Sequence, residues 1–349
     1  MNTTALTANQ ILAIPLLEAE RLFGAPEVIQ DRYHALAKRW HPDRPDGDAT
    51  VFAHIGSLLE RAKHLAEIGM WHVPGVFEFT SAGKQYRVRY LRSFDFELGK
   101  LLFGHTLLTY VIANEFGTAA ANARKMISEI RYPDDKTKDV MSRYLPKLVA
   151  YHETTTDVVI TIEKPTDLIR LRDLATHLGG SLDPKHVAWI VSRMLNLASF
   201  FEWAKLSHND ISLDTLFIAP EHHSIHLLGG WWYATPIGNS LKGCLLPSRT
   251  VAHGSEELIR KKLATARTDP ELIRLTAREL LGDSSGIRLL TDVAMPRSMI
   301  DWLRMSGSGS ALEDYTQWRE RILPASFGPR RFVKMNVTAH DVYPDIAEN

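Results

Sequence analysis

The sequence predicts a multidomain chain, with an antiparallel pair of helices at the N-terminus followed by a larger α+β domain. Two observations predict this class. In the N-terminal region, apolar side chains recur every three or four positions, which is the period of amphipathic helices. Beyond Trp71, short β-rich runs alternate with turns, and the chain becomes helical again from Pro165. The length of 349 residues suits one small and one large domain. We place these at 1–72 and 76–335, with a tail at 336–349.

The first helix of the pair is predicted from Pro26 to Trp40. Proline suits the first turn of a helix, where its missing N–H is no loss. The helix should end at Trp40, because Pro42 disfavours the α conformation for the residue before it. A second helix is predicted from Ala49 to about Ile68, and an earlier short helix around Leu12–Phe23 should cap the pair. The expected apolar faces are Ile29, Tyr33, Leu36 and Trp40 on the first helix, and Phe52, Ile55, Leu59, Ala62 and Leu65 on the second.

The loop between these helices carries His41-Pro42-Asp43. Two antiparallel helices, the first of them basic, joined by a loop with this tripeptide resemble a J-domain. This DnaJ-like module docks on DnaK-type chaperones and stimulates their ATPase. One departure from the family pattern is Leu59, which stands where an aromatic residue is usual. The alternative interpretation is a plain helix-loop-helix in which the tripeptide occurs by chance, since short motifs have a real false-positive rate.

The resemblance implies a docking function. A basic helix would meet an acidic chaperone surface, and such complementarity sets association rate and orientation more than affinity. Pro42 stiffens the loop, so that less entropy is lost on docking. Asp43 would offer a carboxylate to a cationic group of the partner, while His41 holds the loop or touches the partner. The implied chaperone-binding residues are His41, Pro42, Asp43, Arg32, Lys38 and Arg39.

The composition is that of an ordinary globular protein without a global charge. Hydrophobic residues make up 45% of the chain, and 41 basic residues balance 41 acidic ones, so no basic field favours nucleic acid. The single cysteine, Cys244, excludes a disulfide framework within the chain and a cysteine-based zinc site. We find no secretory signal and no apolar stretch of about eighteen residues. We therefore expect a cytoplasmic chain with no nucleic-acid partner and no membrane partner.

The second domain begins with β-rich runs and continues with helices. A long helix should start at Asp183-Pro184, which combines an N-cap with proline in the first turn. After this helix comes His208-Asn209-Asp210-Ile211. The remaining predicted elements are strands of one antiparallel sheet at 76–80, 86–91, 94–98 and 107–113, a helix at 118–130, a strand pair at 148–152 and 158–163, and a hairpin at 216–219 and 224–228.

This order of elements resembles a protein kinase fold, with its small and large lobes. His208-Asn209-Asp210-Ile211 is similar to the start of the kinase catalytic loop. A later helix, which opens with Thr268-Asp269-Pro270, resembles the large-lobe helix that begins with a buried aspartate in kinases. The resemblance covers about 76–335 in the order of elements, but only the His-x-Asp loop is specific at the level of residues.

In kinase catalysis a small set of residues positions Mg-ATP. Most of those that bind magnesium are missing from this sequence. Asp210 stands where the catalytic aspartate accepts the substrate proton. Thr215 stands at the position of the magnesium-binding asparagine, with the carboxylate of Asp214 beside it. The segment Leu228–Trp232 replaces the Asp-Phe-Gly motif, and no Asp or Glu occurs between His222 and Ser255. Magnesium in proteins is usually held by one or two carboxylates.

The phosphate-binding parts are also missing. The candidate strand at 107–113 contains no lysine, and the nearest are Lys100 and Lys125. Lys100 could reach in from the preceding strand, as in some atypical kinases. Ser93–Gly99 has one glycine, and acids stand where phosphate would sit, so the segment would repel phosphate. We predict a pseudokinase with no catalytic residue, in which Asp210 is vestigial. The kinase-like loop residues are His208, Asp210, Asp214 and Thr215.

Two further clusters each allow two interpretations. His222, His223 and His226 lie close in sequence and could bind zinc or nickel, but a polar turn is favoured, and no metal is expected. Trp231-Trp232-Tyr233 either packs onto the large lobe, which is favoured, or anchors a bound protein, because such residues dominate interface hot spots.

These features predict a co-chaperone. Its J-domain would recruit a DnaK-type ATPase, and its kinase-like domain would hold an unidentified protein client, so that the effective concentration of chaperone at the client rises. The alternative is an atypical kinase or nucleotide-sensing pseudokinase tethered to a chaperone, which rests on Asp210, Lys100 and Asp214 and makes ATP the ligand. Otherwise no cofactor is expected. A third interpretation is a structural assembly factor with a degenerate J-domain.

Overall fold

The computed structural model describes residues 6–14, 16, 19–67, 75–253, 256–329 and 331–343. The contacts of the chain divide it into two compact units. The first unit consists of Met1–Phe94, Leu102–His105 and Tyr343–Asn349, and the second of Asp95–Leu101 and Thr106–Val342. The predicted domain boundary between 72 and 76 falls largely on residues outside the described ranges, so it stays a prediction.

The N-terminal part of the first unit is helical, as predicted. Its helices are α1 Ala8–Leu12, α2 Glu20–Phe23, α3 Ile29–Trp40, preceded by the 3₁₀ turn Pro26–Val28, and α4 Ala49–Glu67. Helix α3 ends at the predicted residue, because His41 ahead of Pro42 adopts an extended backbone with φ −58° and ψ 132°. The predicted end of the second helix at Ile68 lies just outside the described residues.

The helices of the first unit share one apolar core. Leu22, Leu36, Ile55 and Ala62 are almost completely buried in it. Helix α4 packs against α3, and because only the short loop 41–48 joins them, the two helices run antiparallel. Phe52, which was predicted in the core face, is only partly buried. The core face of α4 instead includes Val51 and Leu58 together with the predicted Ile55, Leu59, Ala62 and Leu65.

The predicted helix at 12–23 is wrong in its extent. The described residues form two short helices there, α1 and α2, with residues 15, 17 and 18 outside the description. Pro15 is the fourth residue of the predicted helix, and a helix usually ends at or before the residue that precedes a proline, so α1, which ends at Leu12, does not extend over the predicted range. Thr7 begins α1 with a capping box, in which its side chain pairs with Gln10.

The first predicted strands form a separate ribbon rather than part of the larger sheet. β1 Gly75–Ser81 and β2 Lys84–Tyr90 pair only with each other in the described sheets, from Gly75 opposite Tyr90 to Ser81 opposite Lys84. Both turn residues, Ala82 and Gly83, have positive φ (49° and 74°), as the tight hairpin turn requires. The prediction of one common sheet was wrong, because alternating polarity identifies a strand but not its partner.

The larger sheet has five strands in the order β3-β4-β5-β7-β6. β4 follows β3 after the two-residue turn Glu97-Leu98. β7 pairs antiparallel with both β5 and β6, and two helices lie in the chain between β5 and β6. The elements are β3 Arg92–Phe96, β4 Gly99–Phe103, β5 Leu107–Ala113, α5 Gly117–Ser128, α6 Asp135–Met141, β6 Leu148–Glu153 and β7 Asp157–Glu163, with 3₁₀ turns at Asn114–Phe116 and Ser142–Tyr144.

The rest of the second unit is mainly helical. Its longest helix begins at Asp183, whose side chain accepts a hydrogen bond from the backbone N–H of Lys185 at 2.7 Å. The elements are β8 Ile169–Arg170, α7 Leu171–His177, α8 Pro184–Trp203, β9 Leu206–Ser207, β10 Leu216–Ala219, β11 Ser224–Leu227, the 3₁₀ turn Trp231–Tyr233, β12 Thr235–Pro236, α9 Ser248–His253, α10 Glu256–Ile259, α11 Thr268–Leu280, the 3₁₀ turn Arg288–Leu290, α12 Arg297–Arg304, α13 Ala311–Gln317, the π-helical turn Trp318–Ile322, α14 Leu323–Phe327 and α15 Ala339–Val342.

Helix α8 forms the centre of this helical part. It packs against α11 and α13, and Val187, Ile190, Met194 and Phe201 on it are buried. Small sheets β11-β10-β8 and β12-β9 flank it. The predicted helix, strand pair, long helix, loop and hairpin occur in that order as α5, β6 and β7, α8, the loop after β9, and β10 and β11, but helix α6 was not predicted. Among the helices of the described residues, none combines the length and apolarity that crossing a bilayer requires.

Candidate functional site

The His41-Pro42-Asp43 corner is exposed at the turn between α3 and α4. The side chains of His41 and Asp43 are 46% and 88% exposed, and His41 Nδ1 lies 3.5 Å from Asp43 Oδ2. The backbone N–H of Asp43 donates to His41 Nδ1 at 3.3 Å. The edge of the His41 ring meets the ring of Phe52, with centroids 5.1 Å apart. The imidazole of His41 therefore packs against the ring of Phe52, while the carboxylate of Asp43 projects into solvent.

Backbone hydrogen bonds fix the path of the corner loop. The N–H of Asp48 donates to the carbonyl of Trp40 at 3.2 Å, which closes the loop at its base. The carboxylate of Asp48 caps α4 by accepting from the N–H groups of Thr50 (2.8 Å) and Val51 (3.1 Å). A Cβ added to Gly47 would lie 1.9 Å from the carbonyl oxygen of His41, so a side chain at this position would displace the corner.

The basic residues of α3 do not form one uniform face. Lys38 and Arg39 are exposed, and the guanidinium of Arg39 lies 4.9 Å from the centre of the Trp40 ring. Arg44, beyond the corner, donates from Nη1 to the carbonyl of Lys38 at 2.6 Å. Arg32 is only partly exposed, because its guanidinium folds over Gly24, where an added Cβ would lie 2.3 Å from Arg32 Nη1. The cations next to the corner are thus Lys38, Arg39 and Arg44.

The kinase-like loop of the second unit is held by Asp269 at the start of α11. Its carboxylate accepts the backbone N–H of His208 at 2.8 Å and that of Asn209 at 2.9 Å. Burial raises the pKa of Asp269 to about 6, against the effect of these two bonds. Asn209 has φ 65°, and its side-chain amide donates to the carbonyl of Tyr233 at 2.9 Å. The predicted buried aspartate therefore anchors the loop.

Asp210 lies inside the protein, beside His208. The N–H of Asp210 donates to Nδ1 of the fully buried His208 at 3.3 Å. Burial raises the pKa of Asp210 to about 7, although Arg249 acts in the opposite direction. Burial likewise lowers the pKa of His208 to about 3, so the imidazole is neutral at physiological pH. A Cβ on Gly230 would lie 2.9 Å from Asp210 Oδ2, which means that backbone covers this carboxyl closely.

The other two predicted loop residues are engaged in the fold. Thr215 Oγ1 donates to the carbonyl of Asp210 at 2.7 Å and accepts from the N–H of Ser212 at 3.0 Å. Its hydroxyl therefore closes the loop instead of facing a ligand. Asp214 forms a bidentate pair with Arg172, with bonds of 2.5 and 2.6 Å, so its carboxylate is already neutralised.

Three aromatic residues, Phe96, Tyr110 and Trp232, form an aromatic cluster between the five-stranded sheet and the loop. Trp232 stacks on Phe96 with centroids 4.9 Å apart and meets the edge of Tyr110 at 5.0 Å. The Tyr110 hydroxyl is buried over Gly229, where an added Cβ would lie 3.0 Å away. Rings and backbone therefore occupy the space between the strands and the segment 228–232. The packing interpretation of Trp231-Trp232-Tyr233 holds, since all three rings are buried.

The turn between β3 and β4 is tied to the segment after the loop. The carboxylate of Glu97 accepts from the Tyr233 hydroxyl at 3.2 Å and from the N–H of Ser248 at 3.0 Å. On the other side, Asn122 of α5 donates to the carbonyls of Trp232 (3.1 Å) and Ala234 (2.9 Å). An acid of the chain itself thus lies at the turn where the resemblance puts phosphate.

The two lysines that were considered as phosphate ligands, Lys100 and Lys125, do not lie in the interior of the second unit. Lys100 is exposed on β4 and Lys125 is exposed near the end of α5. The adjoining strand β5 presents Tyr110 and Thr109 to the interior, and the Thr109 hydroxyl pairs with that of Thr161 at 3.1 Å. Strand β5 therefore buries a phenol and a hydroxyl, and it contains no lysine.

The clustered histidines have separate environments. His222 lies 3.7 Å from Asp167, and His226 Nε2 lies 3.1 Å from the hydroxyl of Ser224. His223 is stacked between Trp189 and Phe332, with centroids 4.4 and 4.3 Å away. Across the part of the chain that the structure describes, no group of three or more His, Cys, Asp or Glu side chains is arranged to hold a metal ion.

The residues that sequence reasoning missed are those that act through tertiary contacts. Phe96 and Tyr110 were predicted only as strand residues. No motif in the sequence around Asn122 or Arg249 indicates their contacts with the loop region. Arg249 on α9 donates to the carbonyl of Ile211 at 2.9 Å and pairs with Glu279 at 2.9 Å. It thereby holds the far end of the loop.

Comparisons with known proteins do not identify a family for this chain. No protein-family model matches the chain, and no curated protein matches it. Among solved structures, the chain is similar to one described as the structure of vaccinia related kinase 3. That similarity has 14% sequence identity and a TM-score of 0.48, and it covers 71% of this chain and 86% of that chain. The functional interpretation below therefore rests on the chain's own residues and contacts.

Proposed function

We propose that the protein is a co-chaperone that recruits a DnaK-type ATPase through the His41-Pro42-Asp43 corner and carries a kinase-like domain without phosphoryl-transfer activity. The observation that carries this proposal is the corner itself. Its imidazole rests on Phe52 with 5.1 Å between ring centroids, and its acid is 88% exposed. A rigid, exposed motif loses little entropy when a partner docks on it.

The charges around the corner support a docking function. Lys38, Arg39 and Arg44 surround the end of α3, and Lys38 and Arg39 are exposed. Cations grouped in this way favour an acidic partner surface and accelerate encounter at low salt. Asp43 would then pair with a cationic group of the same partner.

The aromatic cluster weighs against the alternative of a kinase or nucleotide sensor. Phe96, Tyr110 and Trp232 fill the space above Gly229, and Asp214 is bound by Arg172. Asp210 alone does not assemble a magnesium site, because magnesium bound with phosphates usually needs further oxygen ligands. We therefore assign the kinase-like domain a binding role, as the part that holds a protein client.

Binding to a purified DnaK-type chaperone tests the proposal. The full chain, immobilised, should capture the chaperone with an affinity that falls as salt rises, and His41→Gln should lose this capture. His34→Gln is a matched control, since His34 is an exposed histidine of the preceding helix α3 and its side chain contacts only Gln30 in the described hydrogen bonds. Equal capture by the native chain and the His41→Gln variant would refute the recruiting function.

A further inference from the structure

The second unit contains a cavity of about 580 Å³ that is separate from the kinase-like loop. Its walls come from the end of α5, the 3₁₀ turn Ser142–Tyr144, the start of β6, the end of β7 and the end of β11. Neither Asp210 nor any member of the aromatic cluster lines it. Its volume lies within the range of pockets that hold small molecules, roughly 300–1,000 Å³.

The cavity wall is mostly apolar. Such a surface favours a ligand with a hydrocarbon body, because burying apolar area is the main source of affinity in small-molecule pockets. The apolar side chains include Ile127, Ile130, Leu145, Leu148, Pro165 and Leu228.

The polar groups of the cavity add one uncompensated positive charge. Lys147 and Glu163 neutralise each other, with Lys147 Nζ 2.8 Å from both carboxylate oxygens. His226 is neutral, because burial lowers its pKa to about 4. Arg143 is exposed at the rim and makes no ion pair with any carboxylate of the described residues. An anionic head group would satisfy this guanidinium.

We propose that this cavity is a binding site for a small amphiphilic acid, with its hydrocarbon body among the apolar side chains and its carboxylate on Arg143. A nucleotide does not suit the site, since a single unpaired cation does not match a triphosphate. The proposal goes beyond the recruiting function and is independent of the His41 corner.

Titration calorimetry with the full chain tests the site, using decanoate as the probe. Decanoate should bind with one-to-one stoichiometry. Arg143→Gln should weaken binding about tenfold, the effect of losing one charge-assisted contact, and decan-1-ol should bind the native chain about tenfold more weakly than decanoate. Arg321→Gln, which removes an exposed arginine that does not line the cavity, should leave the affinity unchanged.

Variants that fill the cavity provide a second test of the site. Ile130→Trp should abolish decanoate binding, and Leu148→Trp provides the same test if the first variant does not retain the native melting temperature. Absence of saturable binding to the native chain would overturn the proposal. Binding that survives both Arg143→Gln and a folded cavity-filling variant would place the ligand elsewhere and would also overturn it. Equal affinity for decan-1-ol would refute the anionic head group.

Discussion

The indole of Trp232 stacks on the ring of Phe96, with 4.9 Å between their centroids and an interplanar angle of 29°. Together with Tyr110, whose ring centroid lies 5.0 Å from that of Trp232, they fill the space between the larger sheet and the His208 loop. Trp232 belongs to the segment that replaces Asp-Phe-Gly, and Phe96 ends the first strand of the larger sheet. This contact packs the sheet of the second unit against segment 228–232, and it leads to the first prediction.

Millimolar Mg-ATP should not raise the melting temperature of the native chain. A ligand that binds the folded state must stabilise it, but here rings and backbone fill the site and no acid replaces the Asp-Phe-Gly aspartate. Trp232→Ala should lower the free energy of unfolding by about 3 kcal/mol, as expected for a buried tryptophan, and should also fail to respond to Mg-ATP. A magnesium-dependent rise in melting temperature that grows with ATP concentration, in either protein, would contradict this account.

Asp269→Asn should destabilise the second unit by about 1–3 kcal/mol. The carboxylate accepts two backbone N–H groups, from His208 and Asn209. An amide has only one oxygen, so its NH₂ would face a buried donor in the substituted protein. Urea unfolding measures the loss. Asp139→Asn, on the exposed face of α6, is the matched control and should change stability by less than about 0.5 kcal/mol.

Asp210→Asn should make the protein more stable at pH 8 than the native chain. The pKa of Asp210 is raised to about 7 in the folded protein, mainly by burial. The contribution of this group is therefore fully favourable below its ordinary pKa and is lost as the pH rises through about 7. Asparagine cannot ionise, so the variant should gain about 1 kcal/mol or more at pH 8 and nothing at about pH 3, which is below the ordinary pKa of the group. Unfolding curves at the two pH values measure the difference. A variant that is less stable at pH 8 would show that the ionised carboxylate supports the loop.

Gly47→Ala and Gly56→Ala should have opposite effects on the helical part. A Cβ on Gly47 would lie 1.9 Å from the carbonyl oxygen of His41, whereas a Cβ on Gly56 would meet no atom within 4 Å. Gly56 lies inside α4, where alanine is favoured over glycine by about 0.5–1 kcal/mol. Thermal unfolding should therefore rank Gly56→Ala above the native chain and Gly47→Ala below it. Equal melting temperatures for the two variants would argue against a rigid corner.

The positions at which α3 ends and α8 begins were predictable from the sequence. Pro42 predicted the end of α3 at Trp40, and Asp183-Pro184 predicted the start of α8, because both signals act through the backbone of neighbouring residues. Helix α6 was missed although its cap is readable, since the Asp134 side chain accepts from the N–H of Thr137 at 2.6 Å. Strand β4 was not predicted as a separate strand, because the strand predicted at 94–98 extends over the two-residue turn that divides β3 from β4.

The candidate site was only partly predictable. Its polar residues, His208, Asp210 and Asp269, follow a local pattern and were identified. The aromatic cluster was not, because Phe96 and Trp232 come together only when sheet and loop meet, and no periodicity encodes such a contact. Asp214 and Thr215 were considered as magnesium ligands. The Asp214 carboxylate instead pairs with the distant Arg172, and the Thr215 hydroxyl bonds to the backbone of its own loop.

The stimulation of a DnaK-type ATPase tests the central claim most directly. Single-turnover ATP hydrolysis by a purified DnaK-type chaperone should accelerate when the native chain is added and also when the His34→Gln control is added. It should stay at its basal rate with the His41→Gln variant, whose fold is checked by an unchanged melting temperature. An acceleration that His41→Gln leaves intact, or no acceleration by the native chain, would contradict the account.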